Sequence, residues 1–281
     1  MADRKVAIIT GGTSGIGLAV ANNLLDDDWE VYILYHTRAH IQTTALPRAH
    51  LREADVASWK SLSEAFKDIF HQSGRLDFVF ANAGVLPKAE FFENMTGNSI
   101  MPIDTLSIAV NLQGVMQTCQ LACHYFSRSC HRGQGASLLI NSSSAALYPQ
   151  GFMPIYGASK AGVLHFMRSI ARPLFRSHGI RVHAICPGPV YTKLASKETW
   201  SAFPVDCFVP MKAIVMVARC LIDDGPFNDS AGNQVASESK FGLAVEVGTS
   251  GFYLRDVQAF SDATAQSSLA LLSTLDKTSA K

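Results

Sequence analysis

Tyr156 and Lys160 stand one helical turn apart in Tyr156-Gly157-Ala158-Ser159-Lys160, and Ser143 lies thirteen residues upstream. A phenol, an ammonium and a hydroxyl can together move a proton to or from the oxygen of a bound molecule. A free tyrosine has a pKa of about 10, too high for efficient base work at neutral pH. A lysine at i+4 shares the helix face, and its charge favours the phenolate. Ser143 would bond the substrate oxygen and fix its position. Taken alone, a Tyr-x-x-x-Lys pair also describes an ordinary pair on a helix surface.

A second constellation lies near the N-terminus, in Thr10-Gly11-Gly12-Thr13-Ser14-Gly15-Ile16-Gly17. It follows a short apolar run, Val6 to Ile9, and precedes apolar residues at helical spacing, Ile16, Val20 and Leu24. Glycines there permit a tight turn and close backbone approach to a pyrophosphate. The helix N-terminus adds free N–H groups and a positive dipole end. The position at a first βα turn sets this loop apart from a glycine-rich turn without a ligand. A dinucleotide and a proton-transfer set describe hydride transfer between a nicotinamide and a carbonyl or alcohol.

The elements that must position these groups alternate along the chain. Strands are expected over Lys5–Thr10, Trp29–Tyr35, Leu76–Ala81, Ser137–Ser142 and Ile180–Cys186. Helices are expected from Gly15 to about Asp26 and over Trp59–Gln72, Leu106–Cys130 and Tyr156–Ser177. This rhythm predicts an α/β fold, a single doubly wound parallel sheet of the Rossmann type with helices on both faces. Residues 1–260 read as one domain, with a substrate loop at about 192–212, and residues 261–281 as a C-terminal extension, a helix and a loose end.

With Asn82-Ala83-Gly84, Asn111, Ser143 and Tyr156-x-x-x-Lys160, the TGxxxGxG loop makes the chain resemble a classical short-chain dehydrogenase/reductase, motif by motif over about residues 4–195. Within that family, Ala184-Ile185-Cys186-Pro187-Gly188-Pro189-Val190 is similar to the 15-hydroxyprostaglandin dehydrogenase type. The resemblance implies a fourth catalytic residue, Asn111, holding a water against Lys160. Lys160 would also bond the nicotinamide ribose. Around the cofactor it implies Gly11, Thr13, Ser14, Gly15, Ile16 and Gly17 at the phosphates. Asp55 and Val56 would lie at the adenine, Asn82, Ala83 and Gly84 at the ribose, and Pro187, Gly188, Val190 and Thr192 at the carboxamide.

The end of the second strand bears on cofactor choice. An acid there would bond the ribose 2′-OH and repel a 2′-phosphate. Eighteen residues past Gly17 stands Tyr35, followed by His36-Thr37-Arg38, with no acid. Arg38, supported by His36, could pair with a 2′-phosphate. NADP(H) is therefore favoured over NAD(H), against the preference of the prostaglandin type. The alternative is that Arg38 is a solvated loop residue.

Substrate walls are expected from Val85-Leu86-Pro87, Ala145, Tyr148, Phe152, Pro189, Trp200, Phe203 and Phe208. With no basic cluster among them, an apolar or aromatic small molecule is expected. Each aromatic could equally serve simple packing. A non-redox isomerase or cyclase on the same fold, and a non-catalytic dinucleotide sensor, are the competing readings. The intact Tyr156/Lys160/Ser143/Asn111 set argues against the sensor only.

The bulk numbers narrow the partners. Hydrophobic residues make up 48% and charged residues 17% of 281, with a net charge of +1. Such a balance gives no reason to expect nucleic acid or an anionic membrane. No apolar stretch approaches about 18 residues, and six cysteines show no CxxC spacing, so no metal and a cytoplasmic, reducing setting are expected. The second long helix carries Val163, Leu164, Phe166, Met167, Ile170, Ala171, Leu174 and Phe175, apolar around much of its circumference. A homodimer or homotetramer built on the two long helices is expected to cover what the sheet leaves bare. The alternative is that Phe241–Leu272 folds over them.

Overall fold

The computed structural model describes residues 4–37, 48–87, 91–92 and 102–275. The first half runs β1 (Val6–Thr10), α1 (Gly15–Asp26), β2 (Glu30–Tyr35), β3 (His50–Glu53), α2 (Trp59–Ser73), β4 (Phe78–Ala81), α3 (Gly114–Arg128) and β5 (Ser137–Asn141). The second half adds α4 (Pro154–His178), β6 (Arg181–Pro187), α5 (Lys197–Ser201), α6 (Met211–Ile222), β7 (Phe227–Asn228), β8 (Gln234–Val235), β9 (Ala244–Val247), β10 (Phe252–Leu254) and α7 (Ala263–Leu275).

Eight strands form one sheet in the order β10-β9-β6-β5-β4-β1-β2-β3. All neighbours are parallel except β10, which runs antiparallel to β9. The chain order reverses between β1 and β4, the crevice where doubly wound sheets bind ligands. Strand alternation divides the core. Val6 and Ile8 join Phe66, Phe126 and Met167 on the face covered by α2, α3 and α4. Ala7 and Ile9 join Val20, Leu24, Ile214 and Leu221 on the face covered by α1 and α6. Helices therefore cover both faces of a mostly parallel sheet, as the sequence predicts.

Two features of the fold differ from expectation. The long helix expected over Leu106–Cys130 is not uniform: residues Ile108–Gln113 wind as a π-helix before α3 begins. Such wide turns admit an extra residue per turn and are frequent at functional sites. From Met211 onward the chain adds α6, β9 and β10, which the sequence reading does not anticipate.

The C-terminal segment covers part of α4. Phe241 stacks on Phe175 with centroids 4.5 Å apart, and Arg168 donates to the carbonyls of Arg255 and Asp256 at 2.9 and 3.0 Å. Among the described residues, no helix is long and apolar enough to cross a membrane.

Candidate active site

The glycine loop is shaped by contacts that leave no room for side chains. Gly11 has φ +65°, and a Cβ there would stand 2.9 Å from the Ala83 Cα. At Gly17 a Cβ would meet Asn82 Nδ2 at 2.5 Å and the Gly11 carbonyl at 2.8 Å. Ser14 caps α1 in extended conformation without a side-chain cap bond, and the first turn holds no acid. The N-terminal amides of α1 therefore keep their capacity for an anion. This donor set fits the pyrophosphate of a dinucleotide.

Asn82 holds this loop from the neighbouring strand. Its Nδ2 donates to the carbonyls of Thr10 and Gly11 at 3.0 and 3.1 Å, and its Oδ1 accepts from Asn141 Nδ2 at 2.9 Å. Thr10 Oγ1 accepts from the amides of Asn82 and Ala83, both at 3.0 Å. The side chain expected at the ribose is thus spent on the loop itself. On the adenine side, Asp55 accepts from the Ala57 amide at 2.9 Å. Val56 is buried, and its carbonyl accepts from Gln117 at 2.7 Å. His36 is exposed just past β2. Arg38 lies outside the described residues.

The residues expected to move a proton gather beyond the ends of β4 and β5. Ser143 Oγ accepts from the Ala145 amide at 3.1 Å. Burial raises the Tyr156 pKa, and the Ser143 side chain beside it lowers it in part. Lys160 Nζ lies 5.8 Å from the Tyr156 ring centroid and donates to the Asn141 carbonyl at 2.7 Å. Burial brings the lysine down to about 8, with Cys186 acting in the opposite direction.

Asn111 sits fully buried in the π-helical turn. Its Oδ1 accepts from the Val85 amide at 2.8 Å, and its Nδ2 donates to the Val85 carbonyl at 2.9 Å and to Ser159 Oγ at 3.2 Å. Ser159 donates in turn to the Tyr156 carbonyl at 2.7 Å. Gly84 completes the group: a Cβ there would stand 3.3 Å from Asn111 Oδ1 and 3.6 Å from Lys160 Nζ. Asn111, Ser143, Tyr156 and Lys160 are therefore brought together from three separate stretches of chain, Tyr156 and Lys160 sharing α4.

Comparison with known proteins places this arrangement. The short chain dehydrogenase family matches residues 5–201. The chain belongs to the short-chain dehydrogenase/reductase family. It is 41% identical to a short-chain dehydrogenase/reductase of Penicillium rubens over 88% of this chain and 92% of that one. The NAD(+)-dependent 15-hydroxyprostaglandin dehydrogenase of Homo sapiens is 32% identical over 68% of this chain and 70% of its own length. The fold matches that of a short-chain dehydrogenase from Burkholderia cenocepacia solved with NADP. There the TM-score is 0.69 at 22% identity, over 87% of this chain and 96% of that one.

On the substrate side of this family member, the expected wall residues do not all face one space. The Tyr148 hydroxyl donates to Glu246 Oε2 at 2.9 Å, and Arg255 Nε donates to the same oxygen at 2.5 Å. Tyr148 therefore ties the loop after Ser143 to β9. Phe152 is 57% exposed, whereas Ala145 is buried. Trp200 and Phe203 pack with Tyr191 and Phe208 in one aromatic group, with centroids 5.6 to 6.4 Å apart across their contacts. In the loop after β6, the Gly188 amide donates to Val247, and the Pro189 carbonyl accepts from Val209 at 2.8 Å. Pro187 ends β6, and Val190 is buried. Thr192 lies against the glycine loop, its Cγ2 3.1 Å from where a Gly15 Cβ would be.

Sequence reasoning passes over three supporting residues. Asn141 offers Lys160 a carbonyl, Ser142 Oγ donates to the Lys160 carbonyl at 3.0 Å, and Ser159 links Asn111 to the Tyr156 backbone. Only Ser159 had a local signal, its place between Tyr156 and Lys160 on the helix. The other two depend on α4 lying over β5.

Proposed function

We propose that the chain is an NADP(H)-dependent oxidoreductase acting on a ketone or secondary alcohol of an apolar or aromatic small molecule. The observation that carries this reading is the convergence of Ser143, Tyr156 and Lys160 at the crevice beside the glycine loop. Tyr156 donates the proton to the carbonyl oxygen, or accepts it from the alcohol in the reverse direction. Ser143 holds that oxygen next to the phenol. Lys160, charged at neutral pH, lowers the cost of the phenolate and bonds the cofactor ribose. Asn111 fixes the backbone at Val85 and supports a water next to Lys160. The nicotinamide, when bound, supplies or takes the hydride.

Residues Gly11 to Gly17 hold the pyrophosphate, Asp55 and Val56 the adenine, and Gly188, Val190 and Thr192 the carboxamide. The absence of an acid after Tyr35, with His36 and Arg38 following, supports NADP(H). Residues 1–260 act as the catalytic domain, and six free cysteines suit a reducing cytoplasm. The test is NADPH oxidation with a panel of apolar and aromatic ketones. Cofactor binding without turnover of any ketone or alcohol would favour the non-redox reading.

A further inference from the structure

The nicotinamide-side loop carries a tie that the catalytic set does not explain. Trp200 Nε1 donates to the Thr192 carbonyl at 2.7 Å. Trp200 lies on α5, in the excursion that leaves β6 and returns at Val209. Its ring is packed by Tyr191, Phe203 and Phe208, at centroid distances of 6.4, 5.7 and 5.6 Å. Thr192 in turn rests on the glycine loop, with its Cγ2 and Cβ at 3.1 and 3.2 Å from a Cβ position on Gly15. Thr192 Oγ1 accepts from the Leu194 amide at 3.3 Å, which keeps the residue in a turn. The excursion thus touches the dinucleotide loop through Thr192, and the indole N–H fixes the Thr192 backbone.

We propose that Trp200 is a positioning residue for the cofactor site: its indole N–H sets Thr192, and the aromatic group makes the fold of the 191–208 excursion and cofactor binding mutually dependent. This rests on the reading of the crevice as a nicotinamide site. It departs from the expectation that Trp200 is a substrate wall, because the polar edge of the ring faces the backbone of Thr192. If ordering the excursion strengthens cofactor binding, cofactor binding must order the excursion to the same degree. An indole is suited to this role because it offers a large apolar surface and one donor.

Trp200→Phe keeps the ring packing and deletes the donor. Loss of one such bond should weaken NADPH binding about five- to tenfold, measured by calorimetry without substrate. A change below twofold, with the effect confined to KM for the ketone, would overturn the proposal in favour of the substrate wall. A second measurement does not depend on that variant folding. In the double variant Trp29→Phe/Trp59→Phe, Trp200 is the remaining indole. Its emission should shift on addition of NADP+, which does not absorb at that wavelength. Unchanged emission at saturating NADP+, with binding seen by calorimetry, refutes the tie. Failure of the wild-type chain to bind NADPH or NADH would instead remove the underlying reading.

Discussion

Lys160→Met should change how stability depends on pH, by an amount that follows from burial of the ammonium. In the folded chain the lysine pKa falls from 10.5 to about 8. The dominant cause is desolvation, and the Asn141 carbonyl at 2.7 Å answers only one of its three N–H bonds. Below the folded value both states hold the proton, and the folded state bears the cost of a buried charge. Between about 8 and 10.5 the unfolded chain binds more protons than the folded one, so stability rises with pH. At about 1.4 kcal/mol per unit, wild type should gain roughly 2 to 3 kcal/mol from pH 7 to pH 10 through this group. Met retains the apolar stem and cannot titrate, so the variant should lack that slope. Urea unfolding of both proteins without cofactor, at steps across that range, gives the difference between them. Other titrating groups cancel in the difference unless they touch Lys160. A difference constant within about 0.5 kcal/mol would refute the reasoning, since the pKa displacement and the slope are the same quantity.

Tyr156→Phe should abolish turnover while leaving NADPH affinity nearly unchanged, because the phenol acts only in the chemical step; activity above about a tenth of wild type would remove Tyr156 from its role. NADPH should bind more tightly than NADH, and Arg38→Ala should narrow the gap; equal wild-type affinities at one salt concentration would end the NADP(H) argument. The chain should sediment at micromolar concentration as a homodimer or homotetramer, paired through α3 and α4, where Met116 remains 37% exposed and Phe166 and Ile170 are only partly buried. A fully active monomer would rule that pairing out.

What could be read from the chain depends on whether the physics is local. The glycine loop and the Tyr156/Lys160 pair were legible because a tight turn and a shared helix face each fix their residues within eight positions of sequence. The apolar strands were legible for the same reason, as a buried parallel strand must be apolar on both faces. Met211–Ile222 also carries a periodic signal, with Ile214, Val217, Ala218, Leu221 and Ile222 buried. The irregular residues before it, rich in aromatics and proline, obscure where that helix starts.

The unread parts depend on register between distant strands. Asn82 reaches the Thr10 carbonyl across 72 positions, and nothing around Asn82 marks it as a bracket for the glycine loop. Strand β10 is three residues long, too short for alternation to declare itself. Its outer edge is set by a separate hairpin, where Asp229 Oδ2 accepts from the Leu254 amide at 3.0 Å and Ser230 Oγ from the Phe252 amide at 3.0 Å. These side chains occupy donors that an open edge strand would leave for another chain. The same hairpin thereby steadies β9, whose Glu246 holds Tyr148 in the loop that follows Ser143. The far edge of the sheet and the loop beside Ser143 are one mechanical unit. That unit exists only after β9 has paired with β6, which is why no stretch of sequence announces it.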